Sequence, residues 1–144
     1  MSDLDADFLA VIAKSNLITD INKISDAGGH DTTQDYFFLP AMVNLNGGDN
    51  FYSSQGSAVQ DIEDTVVWDY YVKFRRDGKT GTNAGQDGNR RKYRQETSVE
   101  VTWWERSPYC DNAYYVRYVT DGGRTWWHDY AYNLFGVAPA CRIE

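Results

Sequence analysis

The sequence is poor in the residues that small disulfide-rich or metal-held proteins need, with two cysteines, two histidines and three prolines among 144 residues. Cys110 and Cys141 make neither a disulfide framework nor a zinc site, and their spacing leaves open whether they form one bridge. No apolar run reaches the ~18 residues of a membrane-spanning helix. The chain is long enough to bury a core without such supports, which predicts a single domain over residues 1–144.

Sequence features of known catalytic centres are also missing. His30 and His128 lie far apart, so no pair of histidines has metal-ligand spacing. No nucleophile motif and no phosphate-binding glycine loop occurs. Segments 77–79 and 87–89 resemble parts of calcium loops but lack the alternating oxygen ligands and the closing glutamate. The sequence therefore predicts a protein that is not an enzyme and has no cofactor and no metal.

The charge balance is acidic except in one segment. The net charge is −7, yet residues 73–94 carry eight basic and two acidic side chains. One interpretation is an anion-binding loop, for nucleic acid among others. The other, which we favour, is a solvated loop that offsets an acidic body, because few aromatic residues interleave the charges. The acidic start, residues 1–7, predicts no Sec signal peptide.

Periodicity predicts helices at the N-terminal end. Apolar residues at helical spacing within residues 4–26 predict two short helices, ended by glycines at 28–29. These helices would either cover a sheet, which we favour, or form an oligomerisation or docking element. The polar residues 30–35 predict a turn, and residues 36–40 predict a buried strand end stopped by Pro40.

The rest of the chain predicts short strands joined by long loops. We expect loops at 46–58 and 75–95 and a β-rich segment at 65–74. Further strands are predicted at 98–104, 114–119 and 124–127, with a hairpin turn at Asp121-Gly122 and an edge or end strand near Pro139 in the last apolar stretch, 131–143.

Aromatic residues are concentrated towards the C-terminal end. Eleven of the 22 lie between Trp103 and Phe135. Tyrosine and tryptophan give large contact areas at low cost in rotamer entropy, and neighbouring Asp, Asn and His add adaptable hydrogen bonds. The stretch is typical of an aromatic core or of a contact surface, and strand alternation allows both. We interpret His128, beside Asp129, as a contact residue rather than a catalytic one.

Three motifs carry a resemblance to a known family. Residues 104–108 look like a W-x-R-S-P signature, residues 136–140 look like G-V-x-P-A, and residues 37–41 resemble F-x-L-P-[AS]. The motifs occur in this order in phage and bacterial domains with a C-type-lectin-like fold. The resemblance covers about residues 36–143. It implies an α+β fold, with two helices packed on short, twisted, mostly antiparallel strands joined by long loops.

Within that fold, the sequence resembles the variable proteins of diversity-generating retroelements. Residues 1–30 would be the helical N-terminal part, and residues 104–135 would hold the variable binding region of the lectin-like body. In such proteins, adenine-directed mutagenesis rewrites scattered codons between constant framework residues. Adenine changes in an Asn codon reach Tyr, Asp, His, Cys and Phe but never Trp. Trp126 and Trp127 therefore depart from that pattern.

The resemblance implies a non-enzymatic display protein that binds a receptor or ligand, on a virion or cell surface. The expected partner is a macromolecule, most simply a cell-surface protein, and a homo-oligomer is an open possibility. Framework is expected at Arg106-Ser107-Pro108, Ala113, Val116-Arg117, Val119, Gly122, Ala131, Leu134 and Gly136 to Ala140, with Trp103, Val116, Val119 and Leu134 as core or framework. Ligand-binding positions are expected at Tyr109, Cys110, Asp111, Asn112, Tyr114, Tyr115, Tyr118, Arg124, Trp126, Trp127, His128, Asp129, Tyr130, Tyr132, Asn133 and Phe135.

Two other functions stay open. The aromatic surface would serve subunit assembly in a structural virion protein, such as a tail-fibre tip. An enzyme of the formylglycine-generating type is the lesser alternative, since Cys110 and Cys141 lie outside any motif that matches its active cysteines. Calcium-dependent sugar binding is not implied, because the Glu-Pro-Asn, Gln-Pro-Asp and Trp-Asn-Asp sets of those lectins are missing.

Overall fold

A computed structural model describes residues 5–21, 30–46, 68, 90–109, 112–125 and 127–144. Two short helices occur in these ranges, α1 (Ala6–Val11) and α2 (Met42–Asn46). The strands are β1 (Ile12–Ala13), β2 (Ser15–Asp20), β3 (His30–Asp35), β4 (Lys92–Tyr93), β5 (Glu100–Val101), β6 (Trp103–Pro108), β7 (Tyr115–Val119), β8 (Trp127–Tyr130) and β9 (Arg142–Ile143).

The predicted α+β, C-type-lectin-like fold with two packed helices is wrong. Within the described ranges no helix has seven or more residues, and most elements are short strands in small antiparallel sheets. The pairs are β1–β9, β2–β3 and β4–β5, and β6, β7 and β8 form a three-stranded sheet in that order. The fold is therefore organised by strand pairing between distant segments.

The predicted first helix is cut short after two turns. Asp5 caps α1, since its Oδ1 accepts hydrogen bonds from the backbone N–H of Asp7 and of Phe8. The chain is already extended at Ile12, where ψ is 134°. β-branched side chains lose rotamer freedom in a helix and fit strands better. Ile12 instead pairs with Ile143 in the β1–β9 ladder.

The second predicted helix and the turn after it form a hairpin-like pair of strands. Of the predicted helical range, residues 15–20 form β2, and residues 22–26 lie outside the described residues. The predicted turn at 30–35 is β3, paired with β2 from Ser15↔Asp35 to Asp20↔His30. The sequence of β3 is polar because its first five residues are exposed. The polar sequence of residues 30–35 therefore reflects their exposure, and the turn predicted from it is wrong because the segment is a strand.

The predicted hairpin between β7 and β8 is confirmed, with its returning strand at 127–130 instead of 124–127. Its turn is closed by hydrogen bonds from Thr120 N to Arg124 O and from Gly123 N to Thr120 O. The left-handed residue is Gly123, with φ 87°, a conformation that favours glycine.

The predicted strand at 98–104 is divided. Ser98 has φ 52°, and the chain then forms β5 and, after Thr102, β6. Phe38, in the predicted strand end, makes a single antiparallel bridge with Ala140, near Pro139.

Several predictions fall outside the described residues. These are the loop at 46–58 apart from its first residue, the β-rich segment at 65–74 apart from Trp68, and most of the basic segment. At the end of that segment the predicted loop is wrong. Arg90 is fully buried, and Lys92–Tyr93 is a strand. Lys92 and Tyr93 are extended because they pair with β5, a contact that the polar sequence of the segment does not reveal.

A small apolar core lies on one face of the three-stranded sheet. Trp103, Val119 and Leu45 are buried together, and Trp68 and Ala138 pack against them. The indole N–H of Trp103 donates a hydrogen bond of 3.0 Å to the backbone oxygen of Arg90. Polar contacts as well as apolar ones therefore stabilise the core.

Buried polar side chains join the segments around this core. The Arg90 Nε–H donates to Gly123 O at 2.7 Å, and Nη1–H donates to Leu45 O at 3.4 Å. Ser107 Oγ accepts from the backbone N–H of Met42 at 2.9 Å. Each bond satisfies a backbone group that burial would otherwise leave without a partner.

Arg106 makes the widest set of these bonds. Its Nη1–H groups donate to Leu39 O at 3.2 Å and to Asn44 Oδ1 at 3.0 Å, and Nη2–H donates to Ile18 O at 3.4 Å. Its backbone N–H donates to Pro40 O at 3.0 Å. One residue therefore ties β6 to β2 and to the segment that leads into α2.

The three sequence motifs meet through these contacts. Residues 104–108 contact 37–41 through Arg106, and the backbone N–H of Trp104 donates to Gly136 O at 3.0 Å. The motif at 136–140 is also tied to Phe38 by the bridge at Ala140. The motifs are thus parts of one framework.

Replacing Arg106 with alanine should lower the free energy of unfolding by about 3 kcal/mol, because hydrogen bonds to charged groups contribute ~1.5–3 kcal/mol each and partly buried acceptors would lose their donors. Urea denaturation measures the change. Arg142→Ala is the control: Arg142 pairs with Glu144 at the exposed C-terminal end, and its loss should change stability by less than about 0.5 kcal/mol. Equal stabilities of the two variants would contradict the role given to Arg106.

Candidate ligand-binding surface

Strand alternation divides the predicted binding residues between two faces of the β6–β7–β8 sheet. Trp103 pairs with Val119, and both are buried, so we call their side the Trp103 face. Trp104 pairs with Tyr118, and Tyr118 pairs with Trp127, which defines the opposite Trp104 face. Side chains directly across a ladder share a face, so these last three form a row across three strands.

The row on the Trp104 face is an aromatic cluster with one exposed end. The Trp104 and Tyr118 rings meet edge to face at 6.1 Å between centroids. Phe135 packs on both, at 4.5 Å from Trp104 and 4.9 Å from Tyr118. Trp127 closes the row on the edge strand and is 52% exposed. Asp129 follows it on the same face.

The Trp103 face carries a second cluster at its outer end, the tyrosine–histidine cluster. Its members are Tyr109, Tyr115, His128, Tyr130 and Tyr132. The Tyr109 and His128 rings stack at 3.7 Å, and Tyr115 meets the Tyr130 ring edge to face at 4.7 Å. Tyr130 and Tyr132 stack at 5.0 Å with 13° between their planes, and they are 38% and 75% exposed. Their stacking orders two exposed rings before any ligand arrives.

Arg117 lies beneath this cluster and was expected only as framework. It is fully buried, and its Cζ lies 5.3 Å from the centre of the Tyr109 ring. Within the described residues, its Nε and Nη1 have no hydrogen-bond partner. The sequence offered a signal for it, because Arg117 occupies an inward position of an alternating strand beside Val119.

The outer edge of β8 is closed to strand pairing at Tyr130. The backbone N–H of Tyr130 donates to Asp129 Oδ1 at 2.8 Å, and its carbonyl accepts from the N–H of Asn133 at 3.0 Å. A strand added at this edge would need those groups. At Tyr130 the edge therefore presents side chains rather than free backbone groups.

Exposure separates the predicted binding residues further. Tyr114, Arg124, Trp127, Tyr130 and Tyr132 are exposed, with Tyr114 at 72%. The half-buried ones are Tyr109, Asn112, Tyr115, Tyr118, His128, Asp129, Asn133 and Phe135. Cys110, Asp111 and Trp126 lie outside the described residues.

The residues expected as core or framework differ in burial. Leu134, expected as core or framework, is 99% exposed, so the core assignment is wrong, whereas Trp103 and Val119 are buried as expected. The backbone turns after Tyr130, where the N–H of Asn133 donates to the Tyr130 carbonyl, so Leu134 lies outside the paired strand. Cys141 is a free cysteine, and Cys110 lies outside the described residues.

Acidic side chains act on the tyrosines of the sheet. Partial burial, together with the negative charges of Asp129 and Asp121, raises the pKa of Tyr118 above its usual value. A side-chain hydrogen bond with Tyr130, then burial and nearby charge including that of Asp129, raises the pKa of Tyr115. Asp129 therefore contributes negative potential to both faces of the hairpin.

Neither a metal site nor a membrane-spanning helix is found in the described ranges. No three His, Cys, Asp or Glu side chains there are grouped so as to hold a metal ion. No helix there is long and apolar enough to cross a membrane.

The aromatic three-stranded sheet, held by buried arginines, defines a small β-rich domain with a candidate binding surface. The chain belongs to a family described as a domain of unknown function (DUF6273), whose model matches residues 1–144. No curated protein and no solved structure matches it.

The tyrosine pKa values predict an alkaline limit to stability. Because the pKa of Tyr118 is raised on folding, its neutral form stabilises the fold fully below about pH 10, and this contribution is lost as the pH rises through the raised pKa. Asp129→Asn keeps an Oδ1 acceptor for Tyr130 and removes the charge, so it should lower the pKa of Tyr118. Carbon NMR of ring-labelled tyrosine measures it. An unchanged Tyr118 titration would show that Asp129 does not act on this ring.

Proposed function

We propose that this protein is a non-enzymatic binding protein that contacts a macromolecular ligand through exposed side chains of the β7–β8 hairpin and the residues after it. The observation that carries the proposal is the group of large exposed aromatic side chains on a rigid sheet, above all Trp127 and the stacked pair Tyr130 and Tyr132. Rigid aromatic anchors of this kind dominate the energetics of protein interfaces.

The exposed rings are held in place by packing against other aromatic side chains, as a binding surface requires. The exposed Tyr130 ring packs against the half-buried Tyr115, and the half-buried Tyr109 ring lies near the buried Arg117 guanidinium. The exposed residues thus lose little conformational freedom on binding. The edge of β8 is closed at Tyr130, so a ligand would be recognised by side-chain chemistry.

We further propose that a retroelement diversifies these positions. Supporting this, the β7 residues expected as framework include the fully buried Arg117 and Val119, between which Tyr118 faces the opposite side. Exposed positions tolerate substitution far better than buried ones, so a fold of this kind withstands changes at 114, 130 and 132.

Removing the exposed rings should abolish binding and leave the fold intact. The double variant Trp127→Ala/Tyr132→Ala loses anchors on both sides of β8, and exposed substitutions change stability by about 0.5 kcal/mol or less. The probe is fluorescently labelled protein applied to cells of the population from which the gene was obtained, with thermal unfolding of each variant alongside.

Tyr93→Ala is the matched control, since Tyr93 is exposed on β4 in a different sheet. It should bind as the unmodified protein does. If the double variant no longer unfolds cooperatively, the rings belong to the core and the proposal fails. A stable oligomer that hides the rings, seen by sedimentation, would favour the virion assembly protein; the exposed apolar Leu134 and Val137 give that alternative its support.

Diversification predicts a pattern of natural variation. Deep sequencing of the gene and its downstream flank in its source population should find substitutions at scattered codons between 109 and 135. Codons of buried residues, such as Arg117 and Val119, should be constant, because changes there destabilise the core. A near-identical unmutated repeat should lie nearby. A uniform sequence with no second copy would remove the retroelement and leave a binder of fixed specificity.

A further inference from the structure

The Trp104 face combines an exposed indole with a carboxylate. Trp127 and Asp129 lie two residues apart on the edge strand β8, so their side chains point to the same face. Tyr118 is the cross-strand partner of Trp127, and Val116 is that of Asp129. An aromatic surface and an acid therefore lie side by side on the edge strand, with Tyr118 and Val116 opposite them on the central strand β7.

The carboxylate is held in place rather than free to swing. Asp129 Oδ1 accepts a hydrogen bond of 2.8 Å from the backbone N–H of Tyr130. A second acid, Asp121, is exposed in the turn of the same hairpin. Partial burial raises the pKa of Tyr118, and the charges of Asp129 and Asp121 raise it further.

The basic side chains of the hairpin offset the negative charge of Asp121 and Asp129 only in part. Arg117 is fully buried on the opposite face, which leaves Arg124 as the exposed arginine of the hairpin. The whole chain carries a net charge of −7. The surface around Trp127 is therefore aromatic and electronegative, a combination that attracts cations.

Three aromatic rings of the described residues have a cation beside them, whereas Trp127 has none among those residues. In the described residues, the cation–ring pairs are Lys14 over Tyr36 at 5.5 Å, Lys92 over Trp103 at 5.9 Å and Arg117 over Tyr109 at 5.3 Å. Trp127, half exposed, is open to a cation from outside the chain.

We propose that the outer end of the Trp104 face binds an arginine or lysine side chain of a partner protein, with the cation against the Trp127 indole and near the Asp129 carboxylate. This inference rests on the proposed function, since it names the chemistry of the ligand at the same surface. Tryptophan is the best aromatic partner for a cation, and a neighbouring carboxylate adds an ion pair. The partner surface is accordingly basic, complementary to this acidic chain.

The test uses short peptides as probes of the whole protein. An acetylated, amidated Gly-Arg-Gly-Arg-Gly peptide is titrated at low ionic strength, and the backbone N–H signals of β7 and β8, which every variant retains, are followed by NMR. The same peptide with citrulline in place of arginine keeps the shape and removes the charge. We expect saturable binding of the arginine peptide, at least about threefold tighter than that of the citrulline peptide, and weakened by salt.

Two variants and two matched controls locate the site. Trp127→Ala should weaken binding by about threefold to tenfold, and Asp129→Asn by about twofold to fivefold. Asp31→Asn is matched to the latter, because Asp31 Oδ1 likewise accepts from the next backbone N–H, that of Thr32, at 2.8 Å. Asp31→Asn and Tyr93→Ala should leave binding unchanged.

Several results would overturn the inference. They are equal binding of the citrulline peptide, no saturable binding of the arginine peptide, and unchanged binding by either Trp127→Ala or Asp129→Asn. None of these touches the proposed function, which fails separately if Trp127→Ala/Tyr132→Ala still binds the cells. Loss of cell binding together with indifference to peptide charge would mean an aromatic binding surface whose ligand is not cationic.

Discussion

The guanidinium of Arg106 is the interaction on which the rest of the structure depends. It donates to oxygens of Ile18, Leu39 and Asn44, and so joins β2, the segment before α2, and β6. No single short strand here buries enough apolar surface to be stable alone. Arg106 holds β6 against the N-terminal half, and β7 and β8 pair beside it in that order. The register of these pairs then sets the position of the aromatic rings on the sheet.

In the part of the chain that the structure describes, buried polar groups hold the segments together alongside a small apolar cluster. The buried hydrophobic cluster around Trp103 is small, whereas Arg90, Arg117 and Glu105 are each almost fully buried. Buried charged groups add little net stability when well paired, but removing a partner is strongly destabilising. Such a framework is specific in geometry and intolerant of change, which suits a surface whose side chains must be presented in fixed positions.

Sequence patterns predicted the sheet of the candidate site better than the rest of the fold. Strict alternation located β7, and Asp121-Gly122 located its turn, because both signals are local. The two helices expected within residues 4–26 are wrong over residues 15–20, because the three-residue spacing of isoleucines cannot outweigh pairing with β3, a long-range contact. Leu134, expected as core or framework, is exposed, because the burial of a residue in the turn after β8 depends on tertiary contacts that no local pattern contains.

The two-residue period of β8 constrains any function of the surface. Trp127 and Asp129 belong to one face, whereas His128 and Tyr130 belong to the other. A ligand that contacted all four would have to wrap around the edge of the sheet, where Asp129 and Asn133 already occupy the backbone groups of Tyr130. A flat ligand contacts one face and leaves the rings of the other to support the sheet. The tyrosine–histidine cluster and the Trp104 row therefore lie on opposite faces of a shared strand, and the charge of Asp129, which acts on both Tyr118 and Tyr115, couples the two faces electrostatically.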